Sequence, residues 1–151
     1  MEKFHEIEQQ EWPVHEFTYL SPDRCRNMTA EERRPLVAEY WAKNDPWFND
    51  GIGAESFADL MARVENFIGQ VKSSESELTA VFSHGQFIRA VIWRILGGKI
   101  AVTPAGMKKF RNFTASFDVF NASTARVQKE NDGSFWISSM DSSYLPGEYL
   151  T

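Results

Sequence analysis

The stretch Leu78-Thr-Ala-Val-Phe-Ser-His-Gly-Gln-Phe-Ile-Arg-Ala-Val-Ile-Trp-Arg-Ile-Leu-Gly97 decides the fold of this chain. Residues 78–82 form a short apolar run with β-branched members between polar neighbours, which predicts a buried strand. From about Gln86 onward, apolar residues recur at helical spacing and predict an amphipathic helix. Ser83-His84-Gly85 lies between the two, at the carboxyl end of the predicted strand. Because the first amides of a helix lack internal partners, this arrangement predicts a phosphate site.

The composition restricts the class of protein. With 42% hydrophobic and 25% charged residues, the 151-residue chain has the composition of one soluble globular domain. A net charge of −5 gives no global attraction to nucleic acid or to an anionic membrane. The first residues are too polar for a signal peptide, and no apolar run is long enough to span a membrane.

Cysteine and histidine are scarce. The single cysteine, Cys25, excludes an internal disulfide and suits a reducing compartment, so we expect a cytoplasmic protein. The three histidines show no metal-ligand spacing. We therefore expect neither a metal ion nor an organic cofactor.

Helices are predicted in the first two thirds of the chain. Residues 55–72 carry apolar side chains in steps of three and four, which predicts one long helix. Thr29-Ala-Glu-Glu32 has the pattern of a capping box, but Pro35 predicts a break and a new helix start. Residues 99–114 predict a loop and a short helix.

Extended structure is predicted in the final third. Residues 116–120 alternate polar and apolar side chains, and residues 123–128 and 134–138 flank the turn sequence Asn131-Asp-Gly133. Helices followed by a strand, a helix and a terminal hairpin predict a layered α/β domain with a mixed sheet.

Ser83-His84-Gly85, in its strand-to-helix context, resembles the second catalytic motif of the histidine phosphatase superfamily, which has the phosphoglycerate mutase-like fold. Further segments resemble that family in the right order. They are His15-Glu-Phe-Thr-Tyr-Leu20, Gly53-Ala-Glu-Ser-Phe-Ala-Asp-Leu-Met-Ala-Arg63, Asn121-Ala-Ser-Thr-Ala, Gly133-Ser-Phe-Trp and Ser142-Ser-Tyr-Leu-Pro146. The resemblance implies a single, partial histidine-phosphatase-like domain over residues 1–151, with a three-layer sandwich around a mixed sheet.

The resemblance also implies a chemistry, the hydrolysis of a phosphate monoester. His84 would donate a hydrogen bond to the phosphoryl oxygens and stabilise the charge that develops in the transition state. The amides of Gly85 and Gln86 would bind the phosphate, and Glu16 would protonate the leaving alkoxide. The implied partner is a small phosphorylated substrate or phosphate.

The chain departs from the family at its nucleophile. The family's attacking histidine lies in an Arg-His-Gly motif, whereas the histidines here follow Phe4, Val14 and Ser83. The resemblance therefore implies an N-terminally incomplete domain that is inactive by itself. The alternative is a non-catalytic phosphate-binding or interaction module derived from the same fold.

Structural roles are the alternatives for the individual residues. His84 would then cap a helix, and Glu16 would be an exposed strand residue. Arg89 and Arg94 are expected to form salt bridges or to lie on the surface. Without the strand that carries the family's first motif, residues 78–82 would present an open sheet edge. We therefore expect either a homo-oligomer that pairs this edge with another copy or a local rearrangement of the segment.

Overall fold

The computed structural model describes residues 8–99 and 101–146. In these residues the elements follow in the order α1 (Ala30–Lys43), α2 (Phe57–Ser73), α3 (Gly85–Gly97), α4 (Pro104–Ser116), β1 (Val127–Lys129) and β2 (Phe135–Ile137). Helix α3 is central, because it packs against α2, α4 and β2. No helix within these ranges has the length and apolar character needed to cross a membrane.

The core is built on the apolar face of α2, as its periodicity predicts. This face packs against α3 and is joined by side chains from α1, α4 and residues 13–20 before α1, which form neither helix nor strand and which we call the extended segment. The buried cluster comprises Phe17, Tyr40, Phe57, Leu60, Met61, Val64, Ile68, Phe87, Ala90, Val91, Met107 and Phe110. Aromatic rings dominate it, and Phe57 packs on Phe110 with ring centroids 5.4 Å apart.

The predicted break at Pro35 is wrong, because α1 is continuous from Ala30 to Lys43 with Pro35 inside it. Proline removes only one helical hydrogen bond, and the affected carbonyl belongs to an exposed residue of the first turn, Glu31. The predicted capping box is confirmed: Thr29 Oγ1 accepts from the amide of Glu32, whose carboxylate accepts from the amide of Thr29. The box secures the helix start on the N-terminal side of the proline.

The predicted buried strand at residues 78–82 is also wrong. This segment forms no strand, and Leu78 and Phe82 are 88% and 91% exposed. A strand needs a neighbour to form its hydrogen-bond ladder, and in the described residues the segment has none. The helices and the small sheet agree with an α/β fold, but the three-layer sandwich and the mixed sheet are not confirmed.

The predicted hairpin turn at Asn131-Asp-Gly133 is confirmed. Strands β1 and β2 pair antiparallel in the register Val127↔Ile137, and Gly133 adopts the positive φ of 81° that the turn requires. The strands are shorter than expected. Residues 116–120 form no strand, and α4 extends as far as Ser116. Thr103 caps the start of α4, and Pro104 occupies its first turn.

Ser56→Ala tests the start of α2. Ser56 is buried, and its Oγ accepts from the amide of Asp59 at 3.2 Å in a second capping box. We expect the substitution to lower the free energy of unfolding by about 1 kcal/mol, because the Asp59 amide loses its acceptor. Urea denaturation measures the change. The control is Ser73→Ala at the exposed end of the same helix, and equal losses in the two variants would contradict the prediction.

Candidate functional site

Glu16 lies at the N-terminus of α3. Its Oε1 accepts hydrogen bonds from the amide of Gln86 at 3.0 Å and from the amide of Phe17 at 2.9 Å. A carboxylate is stabilised at this position because the first helical amides are unpaired and the helix dipole is positive there. The structure thus brings the candidate acid into contact with one of the two candidate phosphate-binding amides, that of Gln86, which donates to Glu16 in this conformation.

A second hydrogen bond joins the same two segments. Ser83 Oγ donates to the carbonyl of Val14 at 2.6 Å. Together with the Glu16–Gln86 bond, it holds residues 14–16 beside residues 83–86. The extended segment is thereby attached to the start of α3 at two points.

Arg63 of α2 fixes the segment that carries Glu16. Its guanidinium pairs with both carboxylate oxygens of Glu55, and the two side chains are only 12% and 14% exposed. The remaining Nη1 donates to the carbonyls of Pro13 at 2.8 Å and His15 at 3.1 Å. The guanidinium also lies 5.0 Å from the ring centroid of Phe87. The extended segment is therefore connected to α2 as well as to α3.

His84 is the N-cap residue of α3, but its imidazole does not cap the helix. The side chain is exposed and makes no cap hydrogen bond, while the backbone carbonyl accepts from the amide of Ile88 at 2.9 Å. The structural alternative, a histidine that caps the helix through its ring, therefore receives no support. The imidazole is accessible to a ligand at the helix start.

Arg89 is a further candidate for the site, although its sequence context predicted a salt bridge or a surface position. Its Nε donates to the carbonyl of Phe117 at 2.6 Å. A β-carbon placed on Gly85 would lie 3.1 Å from Arg89 Nη1 and 3.9 Å from Glu16 Oε2. The guanidinium thus points to the helix N-terminus, where the carboxylate also lies. The sequence could have predicted this position, because Arg89 follows Gly85 by four residues. Residues four apart share a helix face, and helical side chains lean toward the N-terminus.

Arg94, by contrast, behaves as the sequence predicts. It forms an ion pair with Glu65 of α2, with Nη2 3.1 Å from Oε2. Arg89 has no such carboxylate partner within residues 8–99 and 101–146. Of the two arginines on α3, one therefore joins helices and the other contributes a positive charge to the helix start.

A groove of about 500 Å³ adjoins Glu16, and we call it the Glu16 groove. It is lined by Glu16, Phe17, Thr18, Tyr19, Leu20, Pro22, Cys25, Arg26, Asn27, Arg33 and Val37. Burial raises the pKa of Tyr19 above its ordinary value, so the phenol in the groove wall is neutral at physiological pH. The fixed charges along the groove are therefore one carboxylate and two guanidinium groups.

Comparison with known proteins gives a family. Residues 9–133 match the family described as the histidine phosphatase superfamily (branch 1). The matched range contains Glu16, His84 and Arg89. No curated protein and no solved structure matches the chain significantly.

Arg63→Met tests whether the Arg63–Glu55 pair holds the site together. The substitution leaves a largely buried carboxylate unpaired and frees two carbonyls, so we expect a loss of about 3–5 kcal/mol in the free energy of unfolding. Urea denaturation measures it, and Arg63→Met combined with Glu55→Gln should recover part of the loss. The control is Arg94→Met, which breaks the more exposed pair with Glu65 and should cost about 1 kcal/mol or less. Equal losses in the two single variants would refute this role for Arg63.

Proposed function

This chain belongs to the histidine phosphatase superfamily, and on that basis we propose that it provides the phosphate-binding and proton-donating part of a phosphomonoester hydrolase. The observation that carries the proposal is the meeting of Glu16 with the Gln86 amide at the start of α3. A general acid and a group of anion-binding donors lie there at one point, as transfer of a phosphoryl group to water requires.

The phosphoryl group would bind at the N-terminus of α3. His84 is exposed beside it, and Arg89 directs Nη1 toward Gly85. The amides of Gly85 and Gln86 complete the set of donors. These groups are suited to the charge that spreads over the phosphoryl oxygens in the transition state, because they are oriented before the substrate arrives.

Glu16 has two roles in this proposal. Its carboxylate accepts from the Gln86 amide in the absence of phosphate, so an incoming phosphoryl oxygen competes with it for that donor. Like charges repel, so the bound phosphoryl group would displace the carboxylate from the helix start. The protonated form is the one that can donate to the leaving alkoxide.

The attacking imidazole is not provided by a motif within these 151 residues, since none of the three histidines follows an arginine. This observation favours the second candidate function, a module that binds phosphate without turning it over. Both functions require phosphate binding at α3. They differ in whether this chain hydrolyses an ester.

Titration with inorganic phosphate by calorimetry tests the site. His84→Ala and Arg89→Gln should each weaken binding roughly tenfold, because each removes a hydrogen bond from a cationic or polar donor to the anion. Glu16→Gln should strengthen binding several-fold by removing the competing charge. Arg94→Gln is the matched control and should bind like the wild type. Phosphate affinity that is unchanged in both His84→Ala and Arg89→Gln would refute the proposed site.

Turnover of p-nitrophenyl phosphate distinguishes the two functions. The chain by itself should release no p-nitrophenol above background. Hydrolysis that disappears in His84→Ala would instead establish catalysis by these residues and exclude the non-catalytic module.

We also propose that the chain self-associates through residues 78–82. In the described parts of the chain this segment makes no backbone hydrogen bond to another segment. Its side chains include the exposed residues Leu78, Val81 and Phe82. Two copies related by a two-fold axis can pair such segments antiparallel, which satisfies the backbone groups and buries the apolar side chains.

Phe82→Lys tests this association. Wild-type protein should sediment as a dimer at micromolar concentration, and the variant should sediment as a monomer because a charge opposes the pairing. Leu96→Lys, at an exposed apolar position on α3, is the control and should leave the dimer intact. A monomeric wild type, or equal effects of the two substitutions, would overturn the proposal.

A further inference from the structure

We infer that the Glu16 groove binds the leaving group of the substrate, and that this leaving group combines an apolar body with an anionic group of its own. The inference rests on the proposed function in one respect, which is that Glu16 protonates the leaving oxygen. The part of the substrate beyond that oxygen must then lie next to Glu16, which forms part of the groove wall.

The size and walls of the groove fit the body of such a group. A volume of about 500 Å³ lies within the range of pockets that hold small organic molecules. Much of the wall is apolar, with Phe17, Leu20, Pro22 and Val37 among its members. A polyhydroxylated leaving group would place hydroxyl groups against these side chains without hydrogen-bond partners, which is costly.

The charge in the groove favours an anion. Arg33, at the second turn of α1, lies in the wall, and its Nη2 makes one long hydrogen bond of 3.4 Å to the carbonyl of Cys25. No carboxylate pairs with it among the residues that the structure describes. Arg26 adds a second guanidinium, which is paired with Asp23.

Three acidic residues, two on α1 and one in the loop before α2, already have partners. Asp50 and Glu39 both pair with Arg24. The carboxylate of Glu32 is held by the amide and hydroxyl of Thr29 in the capping box. Of the two arginines in the groove wall, Arg33 is the one without a carboxylate partner among the described residues. A carboxylate or a second phosphate on the ligand would meet it with a forked hydrogen bond.

The test compares two aromatic phosphate esters by calorimetry. 4-Carboxyphenyl phosphate should bind about tenfold more tightly than phenyl phosphate, because its carboxylate can pair with a guanidinium. Arg33→Gln should abolish this preference. The matched control is Arg34→Gln, the neighbouring exposed arginine of α1 that does not line the groove, and it should keep the preference.

A second variant tests the contribution of the apolar wall of the groove. Val37→Glu places a charge in the groove and should weaken binding of both aromatic esters while leaving the affinity for inorganic phosphate unchanged. Equal affinity of the wild type for the two esters would overturn the inference. An equal loss of preference in Arg33→Gln and Arg34→Gln would overturn it too, as would aromatic ester binding that Val37→Glu does not change.

Failure of the proposed function would give a different result. 4-Hydroxybenzoate carries the apolar body and the carboxylate but no phosphate. Its binding should depend on Arg33 and should persist in His84→Ala. If His84→Ala does not weaken ester binding but Arg33→Gln still weakens 4-hydroxybenzoate binding, the phosphate site is refuted and the anion-binding role of the groove is supported. If 4-hydroxybenzoate binding is unaffected by Arg33→Gln, the assignment of the groove is refuted.

Discussion

The contact between Arg63 and Glu55 is the interaction on which the rest of the site depends. The extended segment before α1 has no strand partner in the described chain and cannot be positioned by a sheet. Arg63 positions the segment instead, because it donates to two carbonyls of the segment while it pairs with Glu55. The backbone that carries Glu16 is thereby held against α2, while the Glu16 side chain binds the N-terminus of α3. A guanidinium suits this role because its donors diverge in one rigid plane.

The candidate groups of the site, Glu16 and Arg89, meet at one helix end, the N-terminus of α3. The N-terminus of α3 attracts anions, and in this conformation its anion is the Glu16 carboxylate. In the proposed function, the proton donor and the phosphoryl group would therefore compete for the Gln86 amide. Arg89 adds positive charge at this helix start, because its guanidinium lies on the same side of Gly85 as the carboxylate. The helix start can therefore stabilise the negative charge of the Glu16 carboxylate or that of a bound phosphoryl group.

Local patterns predicted the local structure well. The periodicity of α2, the capping box at Thr29 and the turn at Asn131-Asp-Gly133 depend on residues a few positions apart, and all three are confirmed. The errors concern other kinds of information. Pro35 stays within α1 because the cost of one lost hydrogen bond depends on its place in the helix. Residues 78–82 form no strand because a strand requires a distant partner, which their own pattern cannot specify.

The sequence by itself determined which residues were candidates for the site. His84 is a candidate because of its motif at a helix start, and Glu16 is a candidate through the family resemblance; membership of the family is confirmed. Only the tertiary structure decided that Glu16 binds the Gln86 amide, that Arg89 points to Gly85, and that a groove with Arg33 adjoins the acid. The physical reason is range. Helical spacing and caps act over a few residues, whereas the Glu16–Gln86 hydrogen bond and the groove depend on where the segment that carries Glu16 lies relative to α3 and α1.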